Sequence, residues 1–510
     1  MPTEKICILI SIVLYLAGVL FIGFRYARRN ESASDFYLGG RKLGPLVTAM
    51  SAEASDMSSY LLMGLPGLAL LTGLADVGWT VVGLSIGTYV NWLLVAKRLR
   101  RYTHLTGSFT VPQFFSNRFH DKKHLLSTAA AIIIIVFFIP YTASGFAACG
   151  KLFGTLFGAD YMTAMIISAI IIIAYTTAGG FMAASITDFV QSIIMTFALI
   201  FVVIYATYHA GGFGAVVENA QSLAGYLEIF KTHDAVNNAA KPYSFFTIIS
   251  TLAWGLGYFG MPHILLRFMA IEDERKLKTS RRVASVWVVI AMAIAVVIGF
   301  IGNALVAKGS LAQGFDSETI IIQIADMISK DGIILALIAG VVLAGILAST
   351  MSTADSQLLA ASSSVSQNII SEAFGIKLTK KKEMIIARLT VIVIAIFGVI
   401  LARNPDSSVF KIVSFAWAGF GAAFGPVILC ALFWKRTSLV GALSGMIAGG
   451  AFVFIWKFGI AKLGGIFAVY ELLPAFLIGL AVTILVSLIT PKPSEEILVE
   501  FEKAKKPLSE

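Results

Sequence analysis

The chain has 510 residues, 58% of them hydrophobic and 13% charged, with a mean hydropathy of +0.86; a soluble globular protein carries about 25% charged residues, so that class is excluded. Lys and Arg outnumber Asp and Glu 39 to 29, a net charge of +10 that, read without positions, suggests nucleic acid or acidic partners. Three scattered cysteines (Cys7, Cys149 and Cys430), with no CxxC and no Cys/His cluster, make neither a disulfide framework nor a structural zinc site.

A bilayer core needs about 20 mostly apolar residues per helix, and such segments recur along the whole chain. Thirteen spans are predicted, at 6–24, 44–72, 77–96, 125–153, 161–180, 184–209, 244–268, 281–307, 332–366, 384–402, 408–433, 438–458 and 466–490. The first has one nearby cation, Lys5, and no small-residue cleavage site before RYARR (25–29), so it reads as a retained membrane helix rather than a signal peptide. Segments 210–243 and 308–331 read as short surface helices or loops on the outer side. The tail 491–510 mixes Lys and Glu and reads as a mobile cytoplasmic end. The expected fold class is an all-α polytopic membrane protein of thirteen spans, with no soluble part large enough for a separate enzyme.

Orientation follows from the basic residues. With the N-terminus outside, the loops after spans 1, 3, 5, 7, 9 and 11, with the span ends beside them, and the tail hold 29 of the 39 Lys and Arg; six of these lie between the end of span 7 and the start of span 8. The expected topology is N-terminus outside and C-terminus in the cytoplasm. The excess charge is then a topology signal and calls for no nucleic acid.

Four acids fall inside the spans: Glu53 and Asp56 in span 2, Asp188 near the start of span 6, and Asp355 in span 9. Charge at membrane depth is costly and marks function by default. In span 2, MSAEASDMSS (50–59) packs two acids and four serines into ten residues, followed by GLPG (64–67). This composition suits a helix that unwinds beside a hydrated cavity; the alternative is a polar face bonded to its neighbours. Asp188 has a plain reading too, as an acid at the inner membrane edge capping span 6.

Span 7 carries a second interruption, WGLGYFGMP (254–262), whose Trp254 and Tyr258 share a face. Either they wall a small apolar ligand or they form a core pair beside a proline kink. The run GLGYFG (255–260) also matches GxGxxG, and residues 145–151 match most of a phosphate loop, with Leu152 where Ser or Thr is needed. Both lie in apolar helical segments rather than strand–turn–helix units, so neither reads as a phosphate site. HExxH does not occur, which favours transport over catalysis.

Span 9 contains STMSTADS (349–356), placing Ser349, Ser352, Thr353 and Ser356 on one stripe. Hydroxyls facing the carbonyls of a broken helix suit an alkali cation, although small-residue stripes also serve helix packing. Spans 2 and 7 are five apart and therefore cross in opposite directions. Spans 2–6 and 7–11 then make two inverted halves, the arrangement of a secondary transporter with its site at the midplane.

At these motifs the chain closely resembles the sodium/solute symporter family, within it the bacterial proline-transporting branch. The matching segments are FYLGGRKLGP (36–45), SAEASDMSSYLLMGLPG (51–67), GGFMAASITDFVQ (179–191), WGLGYFGMPHILLRFMA (254–270), MSTADSQLL (351–359) and FAWAGFGAAFGPV (415–427). The resemblance implies one membrane transport domain over 1–510: a peripheral span (6–24), repeats at 44–209 and 244–433, two peripheral spans (438–490) and a tail. It implies a multi-pass protein of a bacterial cytoplasmic membrane that imports L-proline with sodium. No organic cofactor and no obligate protein partner are expected.

Carried over position by position, the resemblance puts sodium on the carbonyls of Ala54, Met57 and Ser349 and the hydroxyls of Ser352 and Thr353, with Asp56 shaping the site. Ser58, Ser59, Tyr141, Trp254, Tyr258 and Pro262 would line the solute pocket, and Arg41 and Ser51 would belong to an inner gate. Asp188, with Asp355 and Ser356, would hold a second sodium or lie on its exit path. Ser59, Tyr60 and Met261 stand where the branch usually has Gly, Trp and Gln. An added hydroxyl and a lost amide favour, as the alternative solute, another small neutral amino acid or a small carboxylate.

Overall fold

The computed structural model describes residues 2–27, 33–376, 379–406 and 408–507. Arg28, Arg29 and Lys377, counted above on the inner side, and the last three residues of the tail lie outside the described residues. Among the described residues ten helices are long and apolar enough to cross a bilayer, and the pair Phe245–Gly260 and Pro262–Ala270, bent by 47°, makes an eleventh if taken as one span. A helix satisfies its backbone internally, which lipid demands.

The two other expected spans are helical but built differently. Residues 44–72 form three pieces, Pro45–Ser59, Tyr60–Gly64 and Leu65–Thr72. Residues 161–180 open one helix, Tyr161–Ala210, that carries the chain through both span 5 and span 6. The expected loop between those spans shrinks to a break at Gly180 (φ 68°, ψ −173°), a conformation only glycine adopts without strain.

Val409–Phe433 is the most enclosed span, while Thr3–Tyr26 and Lys381–Leu401 keep most of their surface outward. Large apolar side chains such as Phe21, Ile170, Ile204 and Leu485 face that exterior, as a lipid-facing surface requires. Span 12, Leu439–Phe458, packs through glycines. A Cβ on Gly441 or Gly445 would lie within 2.0 Å of the Ser487 or Thr483 hydroxyl, and one on Gly449 would lie 2.1 Å from the Ala422 carbonyl. Small residues at such spacing let membrane helices approach closely.

The start of span 2 is bonded to the end of span 7. Leu43 N–H donates to the Ala270 carbonyl at 3.2 Å and Glu272 N–H to the Leu43 carbonyl at 3.0 Å. Further along, Ser51 lies beside Arg267 and Asp56 beside Tyr258, so the two broken helices run in opposite directions.

Segment 210–243 is more ordered than a loop: a helix, Phe213–Ser222, precedes an antiparallel hairpin of Lys231–Asp234 with Ala239–Pro242. Segment 308–331 contains the helix Ile320–Ser329. The tail departs from expectation. It folds into a helix, Glu495–Lys503, with Ile497 and Phe501 buried. Phe501 packs 5.0 Å from the buried Arg118 guanidinium, Glu500 meets His120 at 3.0 Å, and Arg101 donates to the Lys505 carbonyl. Mixed Lys and Glu suggested a mobile end, but the apolar face of one short helix found a cationic and aromatic seat.

Candidate functional site

Span 2 winds regularly from Pro45 to Met57 and then stops. Ser58 adopts φ 48°, ψ −167°, a region that non-glycine residues visit rarely, and the chain resumes as a π-helical turn over Tyr60–Gly64. Such turns often mark functional sites. Ser58 Oγ accepts the Tyr60 N–H at 3.1 Å, a local bond that competes with the helical ladder. Before the break the span also bonds to a neighbour, as the alternative reading had it. Thr88 Oγ1 and Trp92 Nε1 donate to Glu53 Oε1 at 3.2 and 3.0 Å.

The hydroxyl stripe of span 9, in the helix Ile333–Ser363, meets this segment. Ser352 Oγ donates to the Ala54 carbonyl at 2.8 Å and lies 3.2 Å from the Ser349 carbonyl, which also accepts from Thr353 Oγ1 at 3.1 Å. Four buried oxygens from two helices thus converge. The Met57 carbonyl accepts the Tyr60 N–H. Among the described residues no group of three His, Cys, Asp or Glu is placed as metal ligands. Uncharged hydroxyl and carbonyl oxygens instead suit a hard alkali cation.

Asp56 bonds to two tyrosines. Its Oδ2 accepts the Tyr258 hydroxyl at 2.6 Å, and its main-chain carbonyl accepts the Tyr141 hydroxyl at 3.2 Å. One residue so ties the break in span 2 to spans 7 and 4. Beside it lies a pocket whose walls include Asp56, Met57, Tyr60, Tyr141, Trp254 and Trp417, with about 10 Å³ of free space, roughly one water. Trp254 stacks on Tyr60 (5.7 Å), which lines the pocket with it, and is backed by Tyr470 (5.1 Å) and Phe410 (5.4 Å).

The expected solute residues separate around Tyr141. Ser58 and Ser59 line a second small cavity with Tyr141, Thr142, Thr350 and Gln357, among others. Tyr258 is held by Asp56 and set edge-on to Trp417 at 5.1 Å. Pro262 is buried at the start of Pro262–Ala270, just past the bend at Met261. The glycines of GLGYFG serve contact rather than phosphate: the stretch is a tight 3₁₀ turn packed on neighbouring backbones.

A buried charge cluster lies deeper along spans 2 and 7. Arg267 Nη2 reaches Asp188 Oδ2 at 2.9 Å and Ser356 Oγ at 2.6 Å, and its Nε reaches Ser51 Oγ at 3.0 Å. Ser51 donates to Asp188 at 2.7 Å, and Ser356 to Asp355 at 3.1 Å. Asp188 therefore does not cap span 6 at a membrane edge; it is fully buried and paired. Breaking such a pair from one side costs about 3–5 kcal/mol. Arg267 is one of the six basic residues counted from the end of span 7 onward. A lone cation within the apolar run PHILLRFMA was the available signal for its role.

Arg41, with φ 58°, forms a separate brace. It donates to the carbonyls of Met269 (2.6 Å), Thr103 (2.9 Å) and Ser108 (2.6 Å). It joins the approach to span 2, the end of span 7 and the basic loop after span 3.

The profile of the sodium:solute symporter family matches residues 36–449. The osmoregulated proline transporter OpuE of Bacillus subtilis (strain 168) is 42% identical over 491 residues, 96% of each chain. A sodium/proline symporter of Staphylococcus aureus is 40% identical over 503 residues, 97% of this chain and 95% of the relative. The outward-open, substrate-bound structure of a Na+-coupled sialic acid symporter superposes with a TM-score of 0.77 at 17% identity, covering 96% of this chain and 99% of that one. A nucleobase-cation-symport-1 family transporter in a closed conformation gives 0.57 at 14% identity, covering 93% and 99%. The fold is that of these cation-coupled symporters.

Proposed function

The chain belongs to the sodium:solute symporter family, and we propose that it imports L-proline with sodium by alternating access. The names of the two near-full-length relatives support proline as the solute. The observation that carries the mechanism is the convergence of the Ala54 and Ser349 carbonyls with the Ser352 and Thr353 hydroxyls. With the Met57 carbonyl they form the sodium site. Sodium there bridges spans 2 and 9 and steadies the segment that positions Asp56, Tyr60 and Tyr141 at the aromatic pocket. Ion and solute then bind with positive, reciprocal coupling.

The transport domain divides into the peripheral span 6–24, the repeats 44–209 and 244–433, the peripheral spans 438–490 and the tail. The 29 basic residues on one side put the N-terminus outside a bacterial cytoplasmic membrane and the C-terminus inside. Trp254, with Tyr60 and Phe410, covers the apolar ring of the solute from outside. Ser58, Ser59, Tyr258 and Pro262 shape the site from the facing segments. Arg41 and Ser51 hold the inner end closed, and Asp188, Asp355 and Ser356 receive the ion on its way in. One sodium crossing the potential yields about 2.3 kcal/mol per 100 mV, enough for more than tenfold accumulation at about 1.4 kcal/mol per tenfold.

Proteoliposomes with an inward sodium gradient are expected to accumulate labelled proline. Proton-driven uptake that ignores sodium overturns the coupling. Competition across about twenty amino acids and small carboxylates decides the solute. Ser59, which adds a hydroxyl to the cavity beside Tyr141, favours a second small neutral amino acid as the rival.

A further inference from the structure

Spans 3 and 8, Leu74–Leu105 and Glu274–Ala307, pack side by side. They run in opposite directions. Span 8 follows span 2: its Ser280 hydroxyl donates to the Pro45 carbonyl at 2.8 Å, and its Asn303 amide to the Leu70 carbonyl at 3.2 Å. Span 3 runs back along span 2, so that Trp92 near its end reaches Glu53. Where the two spans meet at the end rich in basic residues, the Arg281 guanidinium lies 5.3 Å from the Tyr89 ring. Its Nε is buried with no hydrogen-bond partner, and so are the hydroxyls of Ser85 and Ser285, one turn deeper on the same two spans. Among the described residues no ion pair or hydrogen bond engages Arg281. With Nε turned inward, the edge that carries its two Nη groups is left for a ligand from outside.

The charge around Arg281 is uncompensated. The acids that precede span 8 are already engaged: Glu272 with Lys276, Asp273 with Arg275, and Glu274 with Arg101. Lys278 and Arg282 are exposed on the same face of span 8, and no ion pair is found for either among the described residues. Below these cations the surface turns apolar, with Val82 and Ile86 exposed on span 3 and Val289 on span 8. Three free cations thus stand at the head of an outward-facing apolar groove.

We propose that this groove is a binding site for an anionic phospholipid. The Nη edge of Arg281 and the Lys278 ammonium take the phosphate, and an acyl chain lies along Ile86 and Val289. A guanidinium edge matches two oxygens of one phosphate, the Tyr89 ring steadies its plane, and basic pockets between membrane helices hold anionic headgroups. A free phosphate ion has the same charge but gains nothing from the apolar walls. Both spans also bond to span 2, so a lipid that joins them steadies the frame around its break.

Delipidated full-length protein in a neutral detergent is titrated with dioleoyl phosphatidylglycerol, dioleoyl phosphatidylcholine or inorganic phosphate while the Tm is followed. Phosphatidylglycerol is expected to raise the Tm at about tenfold lower concentration than phosphatidylcholine with the same chains. Inorganic phosphate is expected to leave it unchanged. Lys278→Ala/Arg281→Ala removes that preference. Lys381→Ala/Lys382→Ala, which takes the same charge from the exposed start of span 10, retains it. Native mass spectrometry is expected to find a phosphatidylglycerol kept by the wild type and by this control, and lost from the groove variant. Equal responses of the wild type to the two lipids overturn the proposal whether or not the variants fold. So does a preference that survives the groove variant or disappears in the control. A Tm raised as far by inorganic phosphate marks a free-ion site and overturns the lipid.

Discussion

Spans 2 and 7 are both interrupted, and the interruptions are made of opposite materials. Span 2 breaks at a serine, Ser58, held at positive φ, and presents the Ala54 carbonyl to the Ser352 hydroxyl. Span 7 breaks in a run of glycines, each of which admits a neighbour. A Cβ on Gly255 would lie 2.2 Å from the Gly83 carbonyl, one on Gly257 1.9 Å from Trp417 Nε1, and one on Gly260 2.2 Å from the Phe420 carbonyl. Its carbonyls are taken as well. Trp417 Nε1 donates to Trp254 at 2.8 Å, and Asn91 Nδ2 to Tyr258 at 2.9 Å. A broken membrane helix is therefore not a binding site in itself. The partners of its released carbonyls decide: protein donors make a joint, whereas hydroxyls that can turn toward a cation make a site.

The comparison can be broken where the two spans meet. Arg267→Ala strands Asp188 without its cation, and a stability loss of about 3–5 kcal/mol is expected, read as a lowered Tm in detergent. Adding Asp188→Asn should recover part of it; no recovery would mean that Arg267 acts through packing. Next, Asp56→Ala cuts the Tyr258 bond and, with it, sodium-driven uptake by about a hundredfold, near 2.7 kcal/mol. Unimpaired uptake would remove Asp56 from the coupling path.

Smaller effects sharpen the contrast. Gly257→Ala forces a methyl group into the Trp417 indole and should cost about 1–3 kcal/mol of stability. Ser58→Gly, at positive φ, should leave the Tm unchanged. Equal losses from the two would erase the distinction between joint and site. Ser352→Ala should raise the half-saturating sodium concentration about tenfold, near 1.4 kcal/mol, with the maximal rate retained. A fall in rate at unchanged sodium dependence would place Ser352 outside the ion site.

Much of this was legible in the residues. The apolar runs, the acids of span 2, the glycines of span 7 and the hydroxyl stripe at 349–356 are local patterns, and each appears in the structure as an interrupted or polar helix. Arg267 was not legible as a buried partner, because its place near the end of an apolar run also fits a cytoplasmic loop. The split of the solute residues around Tyr141 was hidden as well. Ser58 and Trp254 lie on different spans, and no sequence period relates them. The docked tail escaped because its seat, Arg118 with Tyr102 and Phe119, lies in the short helices after span 3, hundreds of residues away.

Sequence alone determined the solvent of this protein. Lipid cannot bond to a peptide group, so a membrane chain must declare long apolar helices and confine its irregular, polar stretches to a few places. It also determined the chemistry offered there, hydroxyl, carbonyl and carboxylate oxygens. Only the tertiary structure decided which oxygens face one another, which carbonyls are already bonded, and that Asp188 answers Arg267. Those facts depend on contacts between helices far apart in the chain, and close packing, not local pattern, selects them.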